Sequence, residues 1–208
     1  MSLKLPVSLA LLLLVTQAVP ASEMANWSFE FKGGRFESAD AQWADFYGND
    51  RFPAYALGFG YKLQRQIEVG LEAGYLADEG RGLAPIHGIP AGNVKYMLYP
   101  LHLQLTVRGI FHHDQWLVPY IGAGWSRFSY RVETERQSDI SGATDGYQYR
   151  AGLQLLLDNI DKNAAAEIRD SIGVESTYFF IEAQRTEVSI GGTELGGTAY
   201  LGGIRLDF

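Results

Sequence analysis

Apolar residues alternate with polar residues or glycine along most of the chain after residue 26. In residues 96–111, every odd position from 97 to 107 is apolar, while polar side chains or proline fill most even positions. This two-residue period indicates strands with one apolar and one polar face. The same alternation predicts about eight strands, over residues 27–36, 55–64, 67–77, 96–111, 116–130, 147–158, 176–187 and 197–208.

The segments between these strands alternate in length. The connections at 64–66 and 112–114 are tight, whereas those at 37–54, 78–94 and 131–146 are long and polar or rich in glycine. A membrane barrel has short periplasmic turns and longer outer loops, so this alternation favours such a barrel over a soluble sandwich. A glycine-rich loop at 188–196 would complete the outer set.

One connection on the short side, residues 159–174, is longer than a turn. Its centre, from Asn163 to Arg169, contains three consecutive alanines, which favour a helix. Asp161 stands before this stretch and can act as its N-cap. We therefore expect a short periplasmic helix here.

The final strand carries a further signal. Its alternate residues are apolar or glycine, and the chain ends on an aromatic residue: Tyr200, Gly202, Ile204, Leu206 and Phe208. This ending resembles the C-terminal signature of bacterial outer-membrane barrels, in which the last strand is the assembly signal. The segments Gly58-Phe59-Gly60-Tyr61 and 119–125 also resemble strands of the small barrel family that includes outer membrane protein A.

The resemblance implies an all-β fold, an eight-stranded antiparallel up-and-down transmembrane barrel in the outer membrane of a Gram-negative bacterium. It also implies that barrel assembly machinery binds the last strand, through Tyr200, Ile204, Leu206 and Phe208. We expect a monomer surrounded by outer membrane lipids and lipopolysaccharide, with no cofactor.

The amino terminus has the pattern of an export signal. Lys4 precedes an apolar run from Val7 to Val15, and small residues at 19–21 offer a cleavage site after Ala21. The run is shorter than the ~20 residues that a membrane-spanning helix requires. We therefore expect residues 1–21 to be a signal peptide and residues 22–208 to be the barrel domain.

Charge narrows the set of partners. The formal net charge is −7, and removal of residues 1–21 would take away one lysine and no acid, leaving 16 − 24 = −8. An acidic chain is a poor ligand for nucleic acid, so we expect no nucleic-acid partner. Cysteine is absent, which excludes disulfides and lipid attachment through cysteine.

Charged residues recur on the polar face of the strands, which would face the barrel interior, or lumen. Six are acids and five are bases: Glu30, Glu68, Glu72, Asp158, Glu182, Asp207, Lys32, Lys62, Arg108, Arg150 and Arg205. Isolated buried charges are costly, so this near-balance predicts paired charges that fill the lumen. We expect Glu72, Arg150 and Glu182 at the centre of this network, with His102 and Arg108 as neighbours.

The opposite parity should face lipid. We expect Leu103, Leu155 and Ile204 near the middle of the hydrocarbon layer. Aromatic residues near strand ends should lie at the two membrane interfaces, where their rings are favoured: Trp27, Tyr55, Tyr75, Tyr99, Trp116, Tyr147 and Tyr149.

Two small sets of residues could carry chemistry. His112-His113-Asp114 has the composition of a metal site, although adjacent strand residues point to opposite faces. His102, Glu72 and Ser126 could form a hydrolase-like trio, but no nucleophile elbow accompanies them. The sequence therefore favours a non-enzymatic envelope protein whose outward loops contact lipopolysaccharide or an external partner. A lipid A-modifying enzyme (deacylase or acyltransferase) and a narrow channel for small hydrophobic solutes remain the alternatives.

Overall fold

The computed structural model describes residues 26–39, 51–83, 90–112, 114–134, 137–190 and 193–208. The expected signal peptide lies outside these residues, as does His113. Nine strands lie within them: β1 Trp27–Ser38, β2 Arg51–Gln64, β3 Ile67–Leu83, β4 Pro90–Arg108, β5 Leu117–Thr134, β6 Gln137–Leu156, β7 Ser176–Ile190, β8 Thr193–Glu194 and β9 Gly197–Asp207.

Eight of these strands form a closed antiparallel barrel. Each of β1 to β7 pairs with its successor in the barrel, and β9 closes the ring by pairing with both β7 and β1. The two-residue strand β8 pairs only with the end of β7 and extends that hairpin outward. The predicted eight-stranded up-and-down barrel is therefore confirmed.

The register fixes the stagger of the barrel. A row of directly paired residues that starts at Asp145 on β6 returns to the same strand at Leu155, a shift of 155 − 145 = 10 residues. The row passes through Arg127, Leu101, Ala73, Leu57, Phe31, Ile204 and Phe179. A shear of this size over eight strands tilts them by roughly 40° from the barrel axis, as in known barrels.

The outward face carries an apolar belt between two aromatic bands. Leu103 and Ile204 point outward within the belt. The outer band contains Tyr55, Tyr75, Tyr99, Trp125, Tyr147, Tyr149 and Tyr200, and the periplasmic band contains Trp27, Tyr61 and Trp116. Leu155 corrects one expectation, because it precedes the last residue of β6 and lies near the periplasmic edge of the belt.

The outer connections differ from the expected loops. β3 and β4 remain paired as far as Leu83 and Pro90, and β5 and β6 as far as Thr134 and Gln137. Most residues of the expected loops 78–94 and 131–146 are therefore strands of long hairpins. Their sequence lacks the apolar alternation because neither face of a hairpin outside the membrane has to be apolar.

The periplasmic connection between β6 and β7 contains a short 3₁₀ helix, Leu157–Asn159, followed by helix α1, Lys162–Ile172. The Asp161 side chain accepts hydrogen bonds from the backbone N–H groups of Asn163 and Ala164, both at 3.0 Å, so the N-cap is present as expected. Gly173 ends the helix in the left-handed conformation, with φ of 77°. No helix in the described part of the chain is long and apolar enough to cross a membrane.

Candidate functional site in the barrel lumen

Inward side chains fill the lumen in layers that change character from the periplasmic to the outer end. The periplasmic charge cluster comprises Lys62, Glu68, Arg108, Arg205 and Asp207. The central charge cluster comprises Glu30, Lys32, Glu72, Arg150 and Glu182. An outer apolar cluster lies beyond them and comprises Phe36, Phe52, Ala54, Leu76, Leu98, Phe128, Val188, Leu195, Ala199 and Leu201.

Lys32 is the hub of the central charge cluster. Its Nζ lies 2.6 Å from Glu182 Oε1, 2.7 Å from Glu72 Oε2 and 3.5 Å from Glu30 Oε2. The lysine is completely buried, as is the side chain of Glu182. Three carboxylates therefore surround one ammonium, and compensation by opposite charges is the condition for burying such a charge.

Arg150 is the second cation of this cluster. Its Nη1 lies 3.3 Å from Glu30, 3.6 Å from Glu182 and 3.7 Å from Glu72, while Nη2 donates to Thr106 Oγ1 at 2.7 Å. Glu182 also accepts a 2.8 Å hydrogen bond from the Tyr120 hydroxyl. The cluster therefore contains two cations and three anions that share contacts.

Arg205 organises the periplasmic charge cluster. Its guanidinium contacts Glu30 and Asp207, each at 2.8 Å, and forms two hydrogen bonds with the Glu68 carboxylate. Asp207 in turn lies 2.6 Å from Lys62 and 3.0 Å from Arg108. Because Glu30 touches Arg205 as well as Arg150, it joins the two clusters into one network.

This arrangement differs in part from the expected network. The structure brings Glu72, Arg150 and Glu182 together, but around Lys32, which was expected in the lumen without a central role. Arg108 lies in the periplasmic cluster and donates to Gln154 at 3.0 Å and to Asp207. Lys32 lies on β1 beside the seam with β9, and parity alone does not show how high an inward side chain lies along the barrel axis.

Asp158 is the exception among the eleven expected lumen charges. It lies in the 3₁₀ helix after β6, where it accepts a hydrogen bond from the Thr177 N–H at 3.0 Å. Partial burial raises its pKa above the ordinary value of 3.8. β6 ends at Leu156, so the alternation at 157–158 does not reflect a strand. The buried lumen charges of the described chain thus number five acids and five bases.

A polar layer separates the central charges from the apolar cluster. Gln184 donates to Glu72 at 3.2 Å and to Gln148 at 3.0 Å, and Gln148 donates to Gln104 at 2.5 Å. On the same layer, Ser126 Oγ lies 2.7 Å from His102 Nδ1. Glu72 and His102 are direct cross-strand neighbours, as are His102 and Ser126, so the expected trio lies side by side on β3, β4 and β5.

The trio is enclosed. Ser126 is fully buried and His102 is 3% exposed, with the Phe128 ring 6.0 Å from the imidazole centroid. A cavity of about 30 Å³ beside Glu72 and His102 is bounded by apolar residues on its outer side. A space of this size holds about one water, not a lipid or another organic substrate.

Glycines make room for the large lumen side chains. A Cβ at Gly122 would lie 3.1 Å from Arg150 Cγ, and one at Gly152 would lie 2.6 Å from the Tyr120 ring. A larger residue at Gly122 would therefore push aside Arg150, and one at Gly152 would push aside Tyr120, the hydrogen-bond donor to Glu182. This explains why glycine recurs on the inward face.

The periplasmic mouth contains a cavity of about 420 Å³ between the barrel and α1. Lys62 and Asp207 form part of its floor, and Lys162 and Arg169 of α1 part of its wall. His112 lines it as well, but no group of three or more histidine, cysteine or acidic residues suited to a metal occurs in the described ranges.

The ends of the barrel sequence meet at the periplasmic rim. Trp27 and Phe208 exchange two backbone hydrogen bonds, of 2.8 and 3.1 Å. Tyr200, Ile204 and Phe208 face outward, and Leu206 is half-buried on the same side. The four residues expected to form the assembly signal therefore share the lipid-facing side of β9 and its end.

Comparison with known proteins agrees with this architecture. Residues 7–200 match the family model described as the outer membrane protein beta-barrel domain. A search of curated proteins finds no match.

Solved barrels with a similar fold share little sequence with the chain. The chain is similar to OprG from Pseudomonas aeruginosa, with 12% identity and a TM-score of 0.62, over 89% of this chain and 97% of that one. Neisserial surface protein A is 11% identical, with a TM-score of 0.60, over 88% of this chain and 97% of that one. The N-terminal barrel domain of Pseudomonas aeruginosa OprF is 14% identical, with a TM-score of 0.54, over 89% of this chain and 98% of that one. At these identities the likeness concerns the fold, whereas the family match covers most of the sequence. The chain therefore belongs to the outer membrane protein beta-barrel domain family and is located in the outer membrane.

Proposed function

We propose that this protein is a monomeric, non-enzymatic and non-conducting barrel that anchors outward hairpins at the cell surface. The observation that carries the proposal is the ion-paired network across the lumen. All ten of its charged side chains are at most 7% exposed. A water-filled pore would leave such groups hydrated, as in the wide lumen of porins.

The energetics of this network oppose opening. Removing one partner from a buried ion pair leaves an uncompensated charge and costs about 3–5 kcal/mol. Conduction would require Lys32 and Arg150 to leave several carboxylates at once. The outer apolar cluster adds a second barrier, because Phe36, Phe52 and Phe128 pack together above the polar layer.

The outer hairpins supply the surface role. β3 continues for eight residues beyond Tyr75 of the outer aromatic band, a length of roughly 25 Å along the strand. Paired β3–β4 and β5–β6 hairpins of this length extend well beyond the lipid head groups. They would present a rigid surface to lipopolysaccharide or to a partner outside the cell, while the last strand would bind the barrel assembly machinery.

Planar-bilayer recording tests the closed lumen. Purified protein, refolded and inserted into a bilayer, should give no stable conductance, while a porin inserted in the same way gives steady open steps. A large and stable conductance from the wild-type protein would overturn the proposal and favour the channel. The matched variant Lys32→Met should admit more transient openings, because it removes the hub of the central cluster.

Enzymatic activity is the second candidate, because Ser126 and His102 share a 2.7 Å hydrogen bond beside Glu72. A serine nucleophile requires such a base, oriented by a third group. Against it, Ser126 lies inside the barrel under Phe128, whereas an enzyme acting on lipid A has to expose its nucleophile to lipid. We therefore interpret the trio as part of the polar layer.

Lipid A mass profiles separate the two functions. Cells expressing the wild-type protein, the Ser126→Ala variant or no protein should give the same lipid A masses. Loss of an acyl chain, or gain of one, that depends on Ser126 would establish the enzyme and contradict the proposal.

A further inference from the structure

Two arginines flank β9 on the outer face of the barrel, at the level of the outer aromatic band. Arg35 on β1 is directly paired with Tyr200, and Arg185 on β7 with Thr198 two residues along the same strand. β9 lies between β1 and β7, so the two arginine backbones are two strand spacings and two residues apart, roughly 12 Å. Both side chains are exposed and long enough to reach a common ligand in front of β9.

Neither arginine has a carboxylate partner in the described part of the chain. The Arg35 guanidinium lies 5.9 Å from the centroid of the Tyr200 ring, and Arg185 donates to Thr198 Oγ1 at 3.2 Å. The nearby acid Glu37 pairs with Arg51 at 2.9 Å. Stacking on an aromatic face and donation to a hydroxyl leave several N–H groups of each guanidinium available for an anion.

The distribution of outward cations is asymmetric across the membrane. In the outer band, Arg35, Arg127 and Arg185 stand among the tyrosines. In the periplasmic half of the belt, the outward positions of the described strands carry no lysine or arginine. They include Trp27, Phe29, Tyr61, Leu63, Val69, Val107, Leu117, Pro119, Ile121, Leu153 and Phe179. The outer leaflet of this membrane contains phosphorylated glycolipid, whereas the inner leaflet does not. The cations therefore lie in the leaflet that contains the phosphorylated glycolipid.

We propose that Arg35 and Arg185 bind a phosphate group of lipid A in the outer leaflet, with Tyr200 and Thr198 forming the floor between them. Two planar guanidinium groups can each donate two parallel hydrogen bonds to phosphate oxygens. The site requires the outer-membrane location and orientation, and it does not depend on the closed lumen. A conducting barrel could still have this lipid site, and a closed barrel could lack it.

Arg127 provides a matched control on the same outer band. It is similarly exposed, but its Nη1 lies 3.3 Å from Asp145 Oδ1, so its charge is already compensated. Replacing it with glutamine removes the same charge from the same level of the barrel. A general effect of net charge on lipid binding would therefore appear in Arg127→Gln, whereas a specific site at β9 would not.

The experiment is a titration of each refolded variant with bisphosphorylated lipid A, with bound lipid counted by native mass spectrometry after gentle detergent removal. The double variant Arg35→Gln/Arg185→Gln should bind about tenfold more weakly than the wild type, and each single variant about threefold more weakly. Arg127→Gln should bind like the wild type. Heat-modifiable gel mobility of each sample checks that the barrel is folded. If the double variant folds poorly, the two single variants still test the site.

A second titration, with lipid A from which both phosphates have been removed, identifies the recognised group. Wild-type protein and the double variant should bind it equally, because the arginines then have no phosphate to contact. Equal binding of bisphosphorylated lipid A by the double variant and the wild type would overturn the site. So would an equal loss in Arg127→Gln, or a loss in the double variant that persists with the phosphate-free lipid.

Discussion

Lys32 Nζ lies 2.6 Å from Glu182 Oε1, although 150 positions separate the two residues in the sequence. Lys32 is on the first barrel strand and Glu182 is on β7, with β9 between them. The contact therefore crosses the seam of the barrel and exists only when the ring is closed. This makes the central charge cluster a consequence of closure as well as a filling of the lumen.

Removal of Lys32 alone should lower stability more than removal of Lys32 together with one of its acidic partners. Lys32→Met leaves Glu72 and Glu182 facing each other in a confined space, and we expect the free energy of unfolding to fall by about 3–5 kcal/mol. The double variant Lys32→Met/Glu182→Gln should recover part of that loss. Urea unfolding in lipid vesicles, followed by tryptophan fluorescence, measures both.

Two comparisons make this prediction specific. Arg150→Met should cost less than Lys32→Met, because the closest carboxylate to Arg150 is 3.3 Å away. Arg127→Gln breaks an exposed pair and should change stability by less than about 1 kcal/mol. A double variant that is less stable than Lys32→Met would contradict repulsion between the acids.

A charge on the lipid face should be costly in the middle of the belt and tolerated above it. Leu103 is outward-facing and 49% exposed within the apolar belt. Leu103→Arg should lower the free energy of unfolding in bilayers by about 2–4 kcal/mol. Ser129→Arg is the matched control, because Ser129 has the same outward parity but pairs with Tyr99 at the outer band. Equal stability of the two variants would contradict the placement of Leu103 in the apolar belt.

Loss of the terminal aromatic residue should impair assembly in cells. Phe208→Ser keeps the two backbone hydrogen bonds to Trp27 possible but removes the apolar ring from the periplasmic rim. We expect a smaller heat-modifiable fraction in the outer membrane and more protein degraded in the periplasm. Ile172→Ser, on the exposed face of α1, is a control that should assemble normally. Normal assembly of Phe208→Ser would show that Phe208 is not part of the assembly signal.

Asp158 should make the stability of the folded protein depend on pH. Burial raises the pKa of its carboxyl above 3.8, so the folded state favours the protonated form more than the unfolded state does. The resulting destabilisation is fully present above the raised pKa and disappears as the pH falls towards 3.8. Asp158→Asn should remove this dependence, since the amide oxygen can still accept from the Thr177 N–H.

Urea unfolding at a series of pH values measures how the free energy of unfolding depends on pH. The difference in stability between Asp158→Asn and the wild type should grow as the pH rises above 3.8 and then become constant. Asp170→Asn, which removes a carboxyl at an exposed position of α1, is the control for the loss of one negative charge. A difference of the opposite sign would mean that the Thr177 hydrogen bond outweighs burial.

The two-residue period predicted the strands and the face to which each side chain belongs, because a strand alternates its side chains whatever its neighbours are. Outward Leu103 and inward Arg150 follow directly from this rule. The rule failed where the physical constraint behind it is absent. Outside the membrane the hairpins no longer need an apolar face, and beyond Leu156 the backbone is no longer a strand.

The partners of the lumen charges were decided by the tertiary structure. Parity placed Lys32, Arg150 and Arg108 inside the barrel, but their heights along the axis depend on the register of all eight strands and on a shear of 10 residues. That stagger brings Lys32 level with Glu72 and Glu182, and leaves Arg108 beside Asp207. The sequence by itself therefore determined which residues of the strands enter the lumen. Ring closure determined which of them meet, because ion pairing depends on distances that only the closed register defines.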